Sequence, residues 1–227
     1  MPELLLSCQD LGKAFGAAPL FEGLSFGIFE GDHVGLVGPN GSGKTTLLKV
    51  LAGLEPPSSG TRAARKRLRL GYVEQDPTFP AGASVDSVLR EACRDAVADE
   101  HEAEGRIAVA MGKAGFSDAA QRVAGTLSHG AKRQLEVAMC LATGPRVLLL
   151  DEPLAGMGAE ETDRMLALLE RLKPTHAILL VEHDMDAVFR IADRITVMVN
   201  GSVIASGSPE AIRLDPQVRS AYLGEDD

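Results

Sequence analysis

Tryptophan is absent from this sequence, and aromatic residues make up only 4% of its 227 residues. Hydrophobic residues still account for 45%, so the chain can bury a core that is mostly aliphatic. Cysteine is also scarce, because only Cys8, Cys93 and Cys140 are present and they lie far apart. This odd number and wide spacing fit neither a disulfide framework nor a zinc site, so we expect reduced, buried thiols in a cytosolic protein.

Long apolar runs and an excess of positive charge are missing as well. No apolar run approaches the roughly 20 residues that a membrane-spanning helix needs. The first ten residues, MPELLLSCQD, have no basic segment, so we expect no signal peptide. The formal net charge of −9 argues against a general surface for nucleic acid or anionic lipid. The length suits one large α/β domain, or one domain with a smaller lobe.

The segment 34–52, with the sequence VGLVGPNGSGKTTLLKVLA, contains the strongest motif of the chain. The apolar run at 34–37 predicts a buried strand, and apolar residues at helical spacing follow the lysine. Between them, residues 38–45 have the G-x-x-x-x-G-K-[ST] spacing of a phosphate-binding loop. Glycines let backbone N–H groups approach an anion, and the following helix directs its positive end to the same point. An ordinary glycine-rich turn with an exposed lysine would not need the complete spacing.

We therefore predict a site for a nucleotide and magnesium at this loop. Lys44 can reach the outer phosphates, and the hydroxyl of Thr45 can hold Mg²⁺. The residues predicted to bind the nucleotide here are Gly38, Pro39, Asn40, Gly41, Ser42, Gly43, Lys44, Thr45 and Thr46.

Two adjacent carboxylates follow a second apolar strand, predicted at 147–150. In a parallel sheet, Asp151 and Glu152 would stand at the carboxyl edge, where ligands bind. Asp151 would lie near the metal, directly or through water, and Glu152 would orient or deprotonate an attacking water. A solvated pair at a strand end is the alternative interpretation, which the phosphate-binding loop upstream makes less favoured.

Three weaker signals follow predicted strands or precede a predicted helix. His183 follows an apolar strand, where a neutral imidazole could hydrogen-bond the outer phosphate, although a lone histidine is more often structural. Gln75 also follows a strand, and its amide could sense metal or water. Ser128 and Gly130 precede a helix predicted at 132–142, and a helix start is suited to an anion.

Periodicity and composition predict how the rest of the chain is organised. Between 84 and 124 the chain is rich in Ala, Glu, Asp and Arg, lacks proline and has helical spacing, which indicates a helical lobe inserted into an α/β core. Asn200–Gly201 is a type I′ hairpin signal. The basic run at 62–69 is interpreted as a solvated edge strand, with a patch for phosphate or a partner as the alternative. The strands are predicted at 4–6, 23–29, 34–37, 68–72, 147–150, 177–181, 196–199 and 202–205.

In this order, the motifs resemble those of the nucleotide-binding subunit of an ABC ATPase, and the resemblance covers nearly the whole chain. The corresponding segments are the two nucleotide motifs at 38–45 and 147–152, the glutamine loop at Gln75, the signature motif at 127–130 and the switch histidine at His183. The resemblance implies catalytic roles for Glu152, His183 and Gln75. It also implies that Gln75 lies at the metal, beside Thr45 and Asp151.

The resemblance implies contacts with ATP beyond the phosphate-binding loop. Phe15 falls where the family has an aromatic residue that stacks on adenine, with a core phenylalanine as the alternative. Two subunits, identical or different, would pack head to tail, with each ATP between Lys44 of one chain and Ser128 of the other. Ser128 and Gly130 would therefore bind the nucleotide of the partner, and hydrolysis would release the pair.

The fold that the resemblance implies is α/β, a P-loop NTPase with a RecA-like core, an antiparallel β subdomain and an inserted α-helical lobe. It predicts a single ABC ATPase domain over 1–227. The catalytic core would comprise 1–83 and 128–227, and the helical lobe would comprise 84–127.

The sequence departs from the family pattern near the predicted dimer contacts. His129 stands where the signature motif has glycine, and Ala131 stands where glutamine or glutamate is usual. Gly158 stands where aspartate is common. These differences concern the strength of the dimer contacts and leave the residues for phosphate and metal unchanged.

The two halves of the chain resemble different ABC proteins. The second half is similar to the ATPase subunits of branched-chain amino acid importers, whereas 21–25 and 70–75 look like soluble two-cassette proteins that work on ribosomes. Because this chain has one cassette, we favour an importer ATPase for branched-chain amino acids or a related small polar solute. It would bind permease subunits at the inner, cytoplasmic face of the membrane, with no direct nucleic-acid partner. A soluble switch on ribosomes or another assembly, and an exporter or lipid-extraction ATPase, are the alternatives.

Replacing Lys44 tests the predicted phosphate-binding loop. Lys44→Ala removes a cation that would contact the outer phosphates, so we expect ATP binding to weaken by about tenfold or more. Titration with a fluorescent ATP analogue measures the dissociation constant, and Lys66→Ala, in the basic run, is the control. An unchanged dissociation constant for Lys44→Ala would contradict the prediction.

Overall fold

The computed structural model describes residues 2–16, 18–73, 79–94 and 96–220, and its strands form two sheets. The strands are β1 (Leu4–Phe15), β2 (Ala18–Phe29), β3 (His33–Val37), β4 (Ser59–Ala64), β5 (Leu70–Val73), β6 (Val147–Asp151), β7 (Ala177–Val181), β8 (Arg194–Val199) and β9 (Ser202–Gly207). The helices are α1 (Lys44–Ala52), α2 (Val85–Cys93), α3 (Glu100–Ala114), α4 (His129–Ala142), α5 (Ala159–Leu172), α6 (Met185–Ile191), α7 (Pro209–Leu214) and α8 (Pro216–Val218), with a 3₁₀ turn at Ala124–Thr126. Within these ranges, no helix has the length and apolar character that crossing a bilayer requires.

The six-stranded sheet carries the edge on which Glu152 and His183 lie. Its strand order is β5-β6-β7-β3-β8-β9, and the neighbouring strands are parallel except for the antiparallel pair β8 and β9. Every residue of β3, β6 and β7 is buried. These strands form continuous apolar runs because both faces of the sheet are covered. The predicted parallel α/β sheet is therefore confirmed.

Strand β6 contributes to two hydrophobic clusters, one on each face of the sheet. Leu148 and Leu150 pack in the cluster that contains the buried residues of α2 to α5. Val147 and Leu149 pack in the cluster that contains those of α1, β1 and β2. Alternate side chains of a strand point to opposite faces, so a short strand joins both halves of the core.

The second sheet is antiparallel, with the order β2-β1-β4. β1 and β2 have 12 residues each, so the strands predicted at 4–6 and 23–29 are too short. Register shifts between the two strands interrupt the simple alternation that the prediction used. β4 matches the edge strand predicted for the basic run only at 62–64, and its start at 59–61 was not predicted, because none of its residues is buried and it lacks an apolar face.

Smaller predictions about turns and boundaries have mixed outcomes. Asn200 and Gly201 have φ values of 46° and 76° and join β8 to β9, so the type I′ hairpin is confirmed. β5 begins at Leu70, two residues after the predicted start of that strand. α4 begins at His129, three residues before its predicted start, because the side chain of Ser128 caps the helix.

The basic run at 62–69 lies where each sheet has an edge strand, since β4 and β5 are both terminal in their sheets. Arg62 donates from Nε to the carbonyl oxygen of Leu51 at 2.6 Å. Arg65 forms an ion pair with Glu3. These contacts within the fold agree with the interpretation of the run as a charged edge.

Helices α2 and α3 lie within the segment predicted as a lobe, 84–127. The side chain of Ser84 accepts a hydrogen bond from the N–H of Ser87 and caps α2, and Asp99 caps α3 through the N–H of Glu102. The buried residues of both helices share a hydrophobic cluster with those of α4. The boundaries of the lobe stay a prediction.

Truncating a side chain of β6 tests this core. Leu148 is fully buried, so we expect Leu148→Ala to lower the free energy of unfolding by about 2–5 kcal/mol. Leu214 is 77% exposed, so Leu214→Ala should change it by less than about 0.5 kcal/mol. Urea denaturation followed by circular dichroism measures both, and equal losses would contradict the packing described.

Candidate functional site

Two glycine positions fix the conformation of the loop between β3 and α1. A β-carbon on Gly38 would lie 1.9 Å from the carbonyl oxygen of Met198 on β8. Gly43 caps α1 with a φ of 99°, a conformation that side chains rarely allow. Because both positions require glycine, the loop presents bare backbone at the start of α1.

Lys44, the first residue of α1, lies folded over this loop. Its Nζ donates to the carbonyl oxygens of Gly38 at 2.8 Å and Pro39 at 3.1 Å, and the residue is 6% exposed. Burial lowers the pKa of Lys44, and the nearby carboxylates of Glu152 and Asp151 oppose that shift. The ammonium group is thus held at the loop by acceptors that a bound phosphate could replace.

A cavity of about 310 Å³ opens at the loop. The residues that line it are Leu20, Asn40, Gly41, Gly43, Lys44, Thr45, Thr46 and Glu152. The hydroxyl oxygen of Ser42 is buried and has no hydrogen-bond partner among the described residues. A buried hydroxyl without a partner, in one loop with a lysine and a helix start, fits a phosphate ligand.

Asp151, the last residue of β6, is fully buried and held by two hydroxyl groups. Thr45 Oγ1 donates to Oδ1 at 3.1 Å, and Tyr72 Oη donates to Oδ2 at 3.3 Å. Burial raises the pKa of Asp151, and the hydrogen bond from Thr45 opposes that shift. A carboxylate and a hydroxyl are oxygen ligands of the kind that Mg²⁺ prefers, so Asp151 and Thr45 fit the predicted metal.

Glu152 lines the cavity and has a backbone conformation that is rare for a residue with a side chain. Its φ is 47°, and its N–H donates to the carbonyl oxygen of Val181 at 3.0 Å. The guanidinium of Arg133, in α4, is buried and donates to the carbonyl oxygen of Glu152 at 3.3 Å. Unusual dihedral angles persist where surrounding contacts hold them, and they are frequent at functional sites.

The next strand brings His183 to the same edge. Its Nδ1 lies 3.7 Å from Oε1 of Glu152, and its side chain is 59% exposed. The preceding residue, Glu182, is buried and accepts hydrogen bonds from the N–H groups of Leu154 at 2.8 Å and His183 at 3.3 Å. Burial raises the pKa of Glu182, while these N–H groups oppose the shift. Glu182 thereby positions the segment after Glu152.

Ser128 and Gly130 are not among the described residues that line the cavity. Ser128 Oγ accepts from the N–H of Ala131 at 3.3 Å and donates to Oε1 of Glu161 at 2.7 Å. His129 Nε2 contacts the carbonyl oxygen of Ala155 at 2.8 Å, so an imidazole N–H donates there. The start of α4 therefore lies against the chain that follows Glu152.

The two remaining predicted site residues have different outcomes. Phe15, at the end of β1, is 62% exposed, and Lys13 Nζ lies 5.1 Å from the centroid of its ring. Leu20 contributes to the cavity, whereas Phe15 is not among its lining residues, so the adenine contact of Phe15 stays a prediction. Gln75 lies outside the described residues.

The sequence prediction missed three side chains that support this edge. Tyr72 could have been found from its position on a predicted strand just before Gln75, because a hydroxyl there can reach a neighbouring strand. Glu182 precedes His183 at the end of an apolar strand, a signal that was visible but not used. Leu20 had no local signal, because its contact with the loop depends on the packing of the second sheet.

Comparison with protein-family models decides the family of this chain. The model described as ABC transporter matches residues 21–155, which is more than half of the sequence. The chain belongs to the ABC transporter family. A second model, described as branched-chain amino acid ATP-binding cassette transporter, matches residues 202–227 of this ABC protein.

Curated relatives match this ABC protein over nearly its whole length. It is 35% identical to the high-affinity branched-chain amino acid transport ATP-binding protein LivG of Salmonella typhimurium, covering 99% of this chain and 100% of LivG. It is 34% identical to BraF of Pseudomonas aeruginosa, which has the same description, again over 99% and 100%. A solved structure of the ATP binding subunit of an ABC transporter aligns with a TM-score of 0.82 and 25% identity, over 97% of both chains. The predicted P-loop NTPase fold is confirmed, and the chain is a nucleotide-binding ATPase of this family.

Replacing Glu152 tests its predicted role as the group that activates water. Glu152→Gln keeps the size of the side chain but removes the base, so we expect ATP hydrolysis to fall by roughly 10²–10⁴-fold while ATP binding is retained. Phosphate release measures hydrolysis, and titration with ATP measures binding. Glu160→Gln is the matched control, since Glu160 is exposed and pairs with Arg164 at 2.9 Å. Near-normal hydrolysis by Glu152→Gln would contradict the role.

Proposed function

We propose that this chain is the ATP-hydrolysing subunit of an ABC importer and that it binds ATP with Mg²⁺ at the loop 38–46. The observation that carries the proposal is that Lys44, Thr45 and Glu152 line one cavity, where the hydroxyl of Thr45 also donates to Asp151. A phosphate-binding cation, a candidate metal ligand and a candidate base are the parts that hydrolysis of a nucleotide requires.

A bound nucleotide would replace hydrogen bonds that form within the loop. Lys44 donates to two carbonyl oxygens of the loop, and a phosphate would replace these acceptors. Ser42 would gain a partner for its buried hydroxyl. Phe15 would stack on the adenine, as the family resemblance implies.

Mg²⁺ would be held by the hydroxyl of Thr45 and the carboxylate of Asp151, directly or through water. These two groups already lie within 3.1 Å of each other. Bound Mg²⁺ would neutralise charge on the phosphates. Gln75 is the further ligand or sensor that the resemblance implies.

Glu152 would orient or deprotonate the attacking water, and His183 would hydrogen-bond the outer phosphate. The 3.7 Å separation of His183 Nδ1 from Glu152 Oε1 supports a shared position next to the reacting atoms. The fixed backbone of Glu152 would keep its carboxylate directed to the cavity that it lines.

Two copies, or this chain and a related subunit, would pack head to tail around two ATP molecules. Ser128 and Gly130 lie away from the lining of the cavity in their own chain, which supports a role toward the nucleotide of a partner. ATP binding would favour the pair and hydrolysis would release it, which is a ligand-driven shift of population.

The transported solute would be a branched-chain amino acid or a related small polar solute. Two observations support this class: the family match at 202–227 and the relatives that carry this description over full length. The subunit would then work on the inner face of the membrane with permease subunits. A ribosome-binding role would use the basic run at 62–69. At least Arg62 and Arg65 of this run instead make contacts within the fold.

Capture from the source organism followed by reconstitution tests the importer. We expect the tagged chain, isolated from detergent-treated membranes, to bring multi-pass permease subunits with it.

The second step reconstitutes this complex in liposomes, with leucine and its binding protein on the outside. ATP-driven uptake of radioactive leucine should appear, and it should be lost with Glu152→Gln. Recovery of ribosomes without permeases would contradict the proposal, as would ATP hydrolysis that no solute stimulates.

A further inference from the structure

A carboxylate from the same chain is bound at the start of α4. Glu161, in the first turn of α5, accepts a hydrogen bond from Ser128 Oγ at 2.7 Å. A β-carbon on Gly130 would lie 2.6 Å from Cδ of Glu161, so the carboxyl group lies directly against the first turn of the helix. The start of α4 is therefore in contact with an anion before any partner arrives.

The surroundings of Glu161 favour its ionised form. The hydroxyl of Ser128 is the largest cause of a lowered pKa for Glu161, and the backbone N–H groups of Gly130 and Gly158 contribute. The positive end of α4 favours negative charge at the same place. Glu161 thus makes there the interactions by which helix starts bind phosphate groups.

A second contact ties this helix start to the chain that follows Glu152. The imidazole of His129 bonds to the carbonyl oxygen of Ala155 at 2.8 Å. A β-carbon on Gly156 would lie 3.3 Å from His129 Nε2, so the ring packs closely on this loop. His129 and Ser128 together hold the start of α4 closed against residues 155–161.

We infer that Glu161 is a built-in competitor, occupying in the separate chain the anion position that the partner's ATP takes at Ser128 in the pair. The inference rests on the proposed head-to-tail pairing. Because one hydroxyl hydrogen cannot serve both anions, pairing must first displace the Glu161 carboxylate. Glu161 therefore raises the ATP concentration at which two chains pair.

In this role, Glu161 affects the ATP concentration that pairing requires but not the rate of the chemical step. Glu161 is not among the described residues that line the loop cavity, whereas Lys44 and Glu152 are. Its removal should lower the ATP concentration for half-maximal activity and leave the maximal rate within about twofold. A residue that only stabilised the fold would not change the ATP concentration for half-maximal activity while leaving the maximal rate unchanged.

The test measures ATP-dependent pairing where hydrolysis is blocked. All variants carry Glu152→Gln, and size-exclusion chromatography with light scattering gives the ATP concentration at which half of the chains are paired. We expect Glu161→Gln to lower this concentration by about threefold to tenfold, since a charge-assisted contact is replaced by a neutral one. Glu160→Gln makes the same change of charge one residue away, and it should have no such effect, because Glu160 pairs with Arg164 instead.

Two further variants distinguish competition from a change of fold. Glu161→Asp keeps the charge but shortens the side chain, so its midpoint should lie between those of the parent and Glu161→Gln. On a Ser128→Ala background, the gain from Glu161→Gln should shrink, because the shared hydroxyl is gone. Thermal unfolding of each variant confirms that the chains being compared are folded.

The possible results have separate meanings. An equal midpoint for Glu161→Gln and Glu160→Gln, or a higher one for Glu161→Gln, would overturn the role of Glu161 while the pairing stands. If ATP paired none of the variants, including the parent, the head-to-tail proposal would be overturned, and the competitor with it.

Discussion

The structure depends on one buried carboxylate and the groups that make its burial possible. Asp151 lies at the end of an entirely buried strand, and an isolated charge there would be strongly unfavourable. Thr45 donates to this carboxylate from the first turn of α1, and Tyr72 donates to it from the neighbouring strand β5. These hydroxyls favour the ionised carboxylate against the burial that opposes it. The packing of α1 on the sheet and the position of β5 are thus linked to a group that serves the site.

A second constraint is the backbone at Glu152. A residue with a side chain in the left-handed region costs on the order of 1–3 kcal/mol, so other contacts must hold it there. The carbonyl oxygen of Val181 accepts from the N–H of Glu152, and the guanidinium of Arg133 donates to the carbonyl oxygen of Glu152. Glu182, the residue after Val181, holds Leu154 through a buried hydrogen bond. Contacts from β7 and α4 therefore hold the backbone conformation of Glu152. Its side chain lines the cavity at the phosphate-binding loop.

What could be predicted from the sequence followed from local patterns. The buried strands β3, β6 and β7 are continuous apolar runs, and the spacing of 38–45 located the loop because its chemistry is carried by consecutive residues. β4 was predicted only where it overlaps the basic run, because an edge strand with no buried residue has no apolar period. The contact between Ser128 and Glu161 joins residues 33 positions apart, so no local pattern could show it.

Helix α4 connects two of the features described above. It begins beside Ser128, and its buried Arg133, five residues further on, holds the carbonyl of Glu152. Five residues of α-helix span only about 7.5 Å. In a head-to-tail pair, this stretch of α4 would contact the neighbour's nucleotide through Ser128 and the chain's own Glu152 through Arg133. One short piece of helix would then contact groups of both nucleotide sites of a pair.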